Sequence, residues 1–162
     1  MRLLILVLLA TLPWPIVAAE IETGPVLVIT RHAEKQQGDD PCLTREGQQR
    51  AARLAALLEN MPVKSLLSTD YCRTRETLDP LARQAGLDIQ TYSPMDGEAL
   101  RSRLFDGRNG AVVVSAHSNT LPELLAQLGA EVPKISESEY GNLYVVTFNK
   151  EGKVGGLARL TY

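Results

Sequence analysis

The sequence predicts an α/β fold: a three-layer αβα sandwich whose central sheet is mostly parallel, with an antiparallel pair at its C-terminal edge. Three observations carry this. Runs such as Val26-Leu27-Val28-Ile29 and Ala111-Val112-Val113-Val114 are apolar at consecutive positions. They read as strands covered on both faces, since a strand with one wet face would alternate. Stretches with helical spacing fall between the strand-like runs, and that alternation is the signature of βαβ units. Finally, the last two strand-like runs are joined through Asn149-Lys150-Glu151-Gly152, which has the character of a hairpin turn.

The elements follow in order. A strand over 25–30 leads into a loop containing Gly38, Asp39, Asp40 and Pro41. Thr44 is placed to cap a helix that runs to about Asn60, with Ala51, Leu54, Ala55 and Leu58 on one face and Pro62 as its stop. "VKSLLST" is a short strand. "YCRTRETLDPLARQAG" is a helix ending at Gly86, with Pro80 expected to kink or split it. "LDIQTY" is a strand, "DGEALRSRLFDG" a short helix and "GAVVVSAH" another buried strand. "TLPELLAQLG" is a helix that tolerates Pro122 near its first turn. "NLYVVTFN" and "GGLARLTY" complete the sheet. There is no repeat, linker or low-complexity tract.

The first residues have a different character. Met1-Arg2 precedes an apolar run from Leu3 to Ala10, then Pro13, Pro15 and Val17-Ala18-Ala19. A basic start, a short apolar core and small residues at the end form a secretory signal pattern, so 1–19 is expected to be a signal peptide cleaved after Ala19. The apolar run falls well short of the ~20 residues that a membrane-spanning helix needs. The remaining domain, 20–162, is long enough for one hydrophobic core. It is expected to work in the periplasm or outside the cell, with no membrane contact once the signal is removed.

The 162-residue chain has 17 basic and 19 acidic side chains, a net charge of −2. It has no basic block interleaved with aromatics, so nucleic acid is not expected as a partner. A small anion remains a fitting ligand wherever a few arginines converge. The two cysteines, Cys42 and Cys72, are expected to form a disulfide in an oxidising compartment. Without a C-x-x-C pair or a neighbouring histidine, zinc is the weaker reading.

Ligands of open α/β sheets bind beyond the carboxyl ends of the strands. Arg31-His32 ends the first strand, Ser68-Thr69 the second, and His117 the "AVVVSA" strand. Both histidines of the chain therefore reach one rim, each at an equivalent place. On the following helix, Arg73, Glu76 and Thr77 share one face, and Arg75 points roughly the other way. Arg31 and Arg73 supply planar forks suited to phosphate oxygens. An imidazole between two guanidinium groups is disfavoured in its charged form, and a neutral imidazole nitrogen is a nucleophile. Positioning, charge stabilisation and a nucleophile together describe a phosphoryl-transfer site.

These segments carry a resemblance. "TRHAEK", "STDYCRTRET" and "VVVSAHSNT" resemble, in order, the three signatures of the histidine phosphatase superfamily, whose fold is phosphoglycerate mutase-like. Ala33 stands where the first motif usually has glycine, and Thr69 where the second usually begins with serine. The resemblance implies that His32 becomes a phosphohistidine, with Arg31, Arg73 and His117 forming the phosphate pocket. It also implies a carboxylate that protonates the leaving oxygen and later activates water. Asp96 in "SPMDGEAL" is the first choice, followed by Glu98 and then Glu34. A helix-terminal acid favoured only by the helix dipole is the competing account of Asp96.

The expected function is therefore an exported, metal-independent phosphomonoesterase that needs no cofactor and acts on a small or envelope-associated phosphorylated substrate. Three alternatives stand beside it. A phosphate-binding or sensing protein would keep the pocket with little turnover. A phosphoglycerate-type mutase would need extra segments that this chain is too short to carry. A metal hydrolase would have to hold zinc with two histidines and Glu34 or Asp39, beside two arginines that repel a cation.

Overall fold

A computed structural model describes residues 24–162. The expected signal peptide and its cleavage point lie outside the described residues. Among the described residues, six strands and four helices follow one another: β1 (Val26–Arg31), α1 (Arg45–Leu57), β2 (Val63–Ser68), α2 (Cys72–Ala85), β3 (Ile89–Thr91), α3 (Gly97–Leu104), β4 (Ala111–Ala116), α4 (Thr120–Gln127), β5 (Asn142–Phe148) and β6 (Val154–Thr161). The sheet order is β3-β2-β4-β1-β5-β6. β1 pairs in parallel with β4, and β2 in parallel with β4 and β3. β5 runs antiparallel to both β1 and β6.

The unbroken apolar strands are explained by what covers them. Leu27, Ile29, Val112, Val114, Tyr144 and Val146 pack on one side with Leu100, Leu104, Leu121 and Leu125 from α3 and α4. Val28, Leu66, Val113 and Leu143 pack on the other with Leu54, Ala55, Leu78 and Leu81 from α1 and α2. Neighbouring residues of β1 and β4 thus feed opposite cores, as the two-residue period of a strand requires. This is the three-layer sandwich with a mostly parallel sheet and the C-terminal antiparallel pair.

Local signals account for most boundaries. Thr44 caps α1, its Oγ1 accepting from the Gly47 N–H at 3.1 Å. Gly86 ends α2 in the left-handed region, φ 65°, a conformation that glycine adopts without a Cβ penalty. The turn between β5 and β6 closes through Asn149, whose side chain accepts from the Lys153 N–H. Two expectations are corrected. α1 ends at Leu57 rather than near Asn60, because Leu58 already has a non-helical cap conformation. α2 is a single helix with Pro80 inside it. One missing N–H removes a single backbone bond, and Leu78 and Leu81 hold both sides of the proline in the core.

One close approach fixes α1 against the site. Gly47 faces the loop after His32, where a Cβ would lie 2.2 Å from the Glu34 carbonyl oxygen. The Thr44 N–H also donates to that oxygen, at 2.9 Å.

Candidate active site

β2, β4 and β1 are adjacent and parallel, so their carboxyl ends open onto a single rim. Thr69 follows β2, His117 follows β4, and His32 follows β1. The His32 N–H donates to the Ala116 carbonyl at 2.9 Å, which extends the β1–β4 ladder to the residue that carries the imidazole. The two imidazole rings meet edge to face with their centroids 5.5 Å apart.

His32 is 3 % exposed. Its Nδ1 lies 2.8 Å from the Ala33 carbonyl oxygen. A carbonyl only accepts, so Nδ1 carries the proton and Nε2 is left with its lone pair. Burial, the largest cause, lowers the His32 pKa to about 4; the Ala33 bond opposes this, and the charges of Arg31, His117 and Arg73 add to it. The ring is therefore a neutral imidazole at physiological pH, in one tautomer. Behind it, the Ala33 N–H donates to Thr77 Oγ1 at 3.0 Å, and the Thr77 hydroxyl donates to the Arg73 carbonyl at 2.7 Å. Thr77 thus links the loop bearing His32 to the helix turn bearing Arg73.

His117 is also lowered to about 4, chiefly by burial, then by Arg73 and Arg31, against an opposing pull from Glu137. Its Nε2 lies 2.9 Å from Thr69 Oγ1, which lies 2.9 Å from Thr74 Oγ1. The Thr74 hydroxyl donates to the Thr69 and Tyr71 carbonyls at 3.0 and 2.9 Å; when the Thr69 hydroxyl donates to His117 Nε2, Nδ1 carries the ring proton and can donate to an anion without the ring becoming charged. The Tyr71 ring meets His117 edge to face at 5.3 Å.

Each arginine is sandwiched in the same way. Arg31 lies 4.1 Å over the Tyr140 ring, and Arg73 4.3 Å over the Tyr71 ring. Each also meets a carboxylate from a loop: Glu137 Oε2 at 3.0 Å from Arg31 Nη2, and Asp40 Oδ1 at 3.6 Å from Arg73 Nη1. Both terminal nitrogens of Arg31 already have partners. Its Nη1 donates to the carbonyls of Ser136, Glu137 and Glu139, and its Nη2 to Glu137 and Tyr140. Arg31 therefore organises the 136–140 loop. The Nε atoms of Arg31 and Arg73 are buried and have no hydrogen-bond partner among the described residues. An unpaired buried donor costs about 1–3 kcal/mol, a cost that an arriving oxyanion could relieve.

The three acids ranked from the sequence take three different places. Asp96 caps α3, its Oδ1 accepting from the Ala99 N–H at 2.9 Å. Glu98 lies in the exposed first turn of the same helix. Glu34 is held by Arg50, whose Nε lies 2.9 Å from both carboxylate oxygens. Burial pushes that carboxyl up, but the Arg50 hydrogen bonds outweigh it and hold the pKa below its usual value. Glu137, absent from the expected candidates, accepts from Ser118 Oγ through Oε1 and from Arg31 through Oε2. No motif flags it, because it lies in a polar loop without periodicity. Arg75, expected to face solvent, is half-buried.

Cys42 and Cys72 form a disulfide that joins the loop after His32 to the first residue of α2. Asp40 Oδ1 accepts from the Cys72 N–H at 3.0 Å and Glu76 Oε2 from the Leu43 N–H at 2.7 Å, so three contacts pin this loop to the helix carrying Arg73. Cys42, Cys72 and Glu76 bring ligand atoms within 4.8 Å of one another. The sulfurs are bonded to each other and offer no thiolate to a metal. No helix among the described residues is long and apolar enough to cross a membrane.

Comparison with known proteins agrees with this arrangement. The family model of the histidine phosphatase superfamily (branch 1) matches residues 27–96. That span holds Arg31, His32, Thr69 and Arg73. Among solved structures, the protein histidine phosphatase SixA complexed with tungstate is 18 % identical, with a TM-score of 0.70 over 84 % of this chain and 96 % of that one. A phosphoserine phosphatase from Entamoeba histolytica, in complex with 3-phosphoglyceric acid, is 15 % identical, with a TM-score of 0.64 over 82 % and 95 %. A mycobacterial glucosyl-3-phosphoglycerate phosphatase with inorganic phosphate is 15 % identical, with a TM-score of 0.63 over 86 % and 97 %. At such identities the likeness is one of fold. No curated protein matches in sequence. Sequence match and sheet architecture converge: residues 27–96 match the histidine phosphatase superfamily (branch 1) model, and the fold is the one shared by these solved phosphatase structures.

Proposed function

We propose that the protein is an exported phosphomonoesterase that works through a phosphohistidine on His32. The supporting observation is the state of His32: a neutral imidazole with its proton on Nδ1, beside two arginines whose buried Nε donors lack partners. In the first step Nε2 attacks phosphorus, the N–P bond forms and the bond to the leaving oxygen breaks. In the second, water attacks phosphorus, the N–P bond breaks and phosphate leaves. Arg31, Arg73 and His117 stabilise the charge on the remaining oxygens. The chemistry needs no metal. The substrate is a small or envelope-associated phosphate compound. Export is supported by the N-terminal signal pattern and agrees with the disulfide.

The test is turnover of 4-nitrophenyl phosphate, with acid-free trapping of the labelled protein. His32→Ala should lose at least about 10³-fold in kcat, as expected for loss of a nucleophile, and EDTA should change nothing. Arg75→Ala should stay near wild-type. The trapped label should sit on the imidazole nitrogen distal to the main chain. Wild-type turnover by His32→Ala would remove the mechanism. Tight phosphate or vanadate binding without hydrolysis of any ester would favour a binding protein instead.

A further inference from the structure

We propose that Glu137 is the proton-transferring carboxylate of this site: it protonates the leaving oxygen as His32 takes the phosphoryl group, then accepts a proton from the water that releases it. The inference rests on the phosphatase reading above and supplies the group which that reading lacks.

Placement is the first argument. Glu137 binds Ser118, the neighbour of His117, and Arg31, the neighbour of His32. Its carboxylate therefore bridges the residues beside both histidines, and its charge is felt at both rings. Fixation is the second. Arg31 Nη1 donates to the Ser136, Glu137 and Glu139 carbonyls at 2.7–3.1 Å, so one guanidinium holds both the backbone and the side chain of this residue. Access is the third. The side chain is 80 % exposed while its partner Arg31 is 2 % exposed, so one flank of the carboxylate meets solvent, where the leaving group departs and water enters.

Four other acids are committed elsewhere. Glu34 is tied to Arg50, Asp96 to the Ala99 N–H, and Glu139 to Asn142 and Arg159. Asp40 caps the Cys72 N–H beside Arg73.

The protons balance. The Ser118 hydrogen bond, more than the Arg31 charge, keeps the resting carboxyl below its usual range, and it is ionised. A phosphoryl dianion arriving at the same arginine disfavours a second negative charge and draws a proton onto Glu137. That proton passes to the leaving oxygen as the P–O bond breaks. The carboxylate then takes one proton from water as the new O–P bond forms, which restores the loaded acid.

Glu137→Gln keeps the shape and removes the transferable proton. With glycerol 2-phosphate, whose alkoxide cannot leave unaided, kcat/KM should fall by about 10²–10⁴, the range for general acid–base groups. With 4-nitrophenyl phosphate the first turnover should be far less affected, giving a nitrophenol burst and accumulated phosphoprotein. Ser118→Ala removes the main group depressing the carboxyl, so the pH–rate limb that Glu137→Gln abolishes should move to higher pH. Equal losses on both esters without a burst would overturn the assignment, as would higher activity in Glu137→Gln, which would make Glu137 a competitor for Arg31. A leaving-group-selective loss in Asp96→Asn but not in Glu137→Gln would return the role to Asp96. If His32→Ala is inactive while Glu137→Gln behaves as wild-type, only the present inference falls; activity in His32→Ala removes both.

Discussion

His32 and His117 lose most of their basicity because they are buried beside guanidinium groups, and this has a signed consequence for pH. Both groups fall from an ordinary value of 6.5 to about 4 in the folded chain. Between those values the unfolded chain binds more protons, so stability rises with pH there. Their contribution is complete above about pH 6.5 and is lost as the solution is acidified through pH 4. Urea midpoints should therefore drop across that window, and the imidazole-dependent limb of the rate profile should lie near pH 4 rather than 6.5. A limb at 6.5 would mean that the rings are hydrated and charged. At this scale the sequence singled out Arg31, His32, Arg73 and His117, because each lies at a strand end or in the helix turn that follows one. It put Thr77 on the face of Arg73 without showing its bond to Ala33, and it did not show Thr74 or Glu137. Thr77 reaches Ala33 across 44 positions, and Glu137 reaches Arg31 across 106. No local pattern encodes such meetings.

Among the elements, the loop after His32 and the start of α2 behave as one unit, because the disulfide, Asp40 and Glu76 all join them. The crosslink spans 30 positions, which the chain-entropy argument values at about 3–4 kcal/mol. The double variant Cys42→Ala, Cys72→Ala should lose up to that amount in urea unfolding. Because Arg73 follows Cys72 directly, the variant should also raise KM for phosphate esters more than it lowers kcat. An unchanged KM would show that Asp40 and Glu76 hold the turn unaided. The crosslink was legible in the sequence from compartment and count, whereas the course of α2 through Pro80 was not. Proline's intrinsic penalty is visible in a sequence; the core contacts of Leu78 and Leu81 that overcome it are not.

For the molecule as a whole, the sheet separates two cores. Leu54 lies in one and Leu124 in the other, both fully buried. Leu54→Ala and Leu124→Ala should each cost about 2–5 kcal/mol. Since the two sites share no packing partner, the double variant should equal their sum within about 0.5 kcal/mol. A larger discrepancy in paired urea titrations would show that the sheet transmits strain between its faces. The architecture was the most legible layer, because unbroken apolar strands admit few arrangements other than burial between helices. What it did not reveal was spacing, and there Gly47 matters most. With a hydrogen where other residues carry a methyl group, α1 can rest against the peptide two residues after His32. One residue inserted upstream in that helix would turn a new side chain into the gap, a rotation of about 100°. The sandwich could absorb such an insertion, but the nucleophile could not, so drift in α1 length should be tolerated less than its exposed surface suggests.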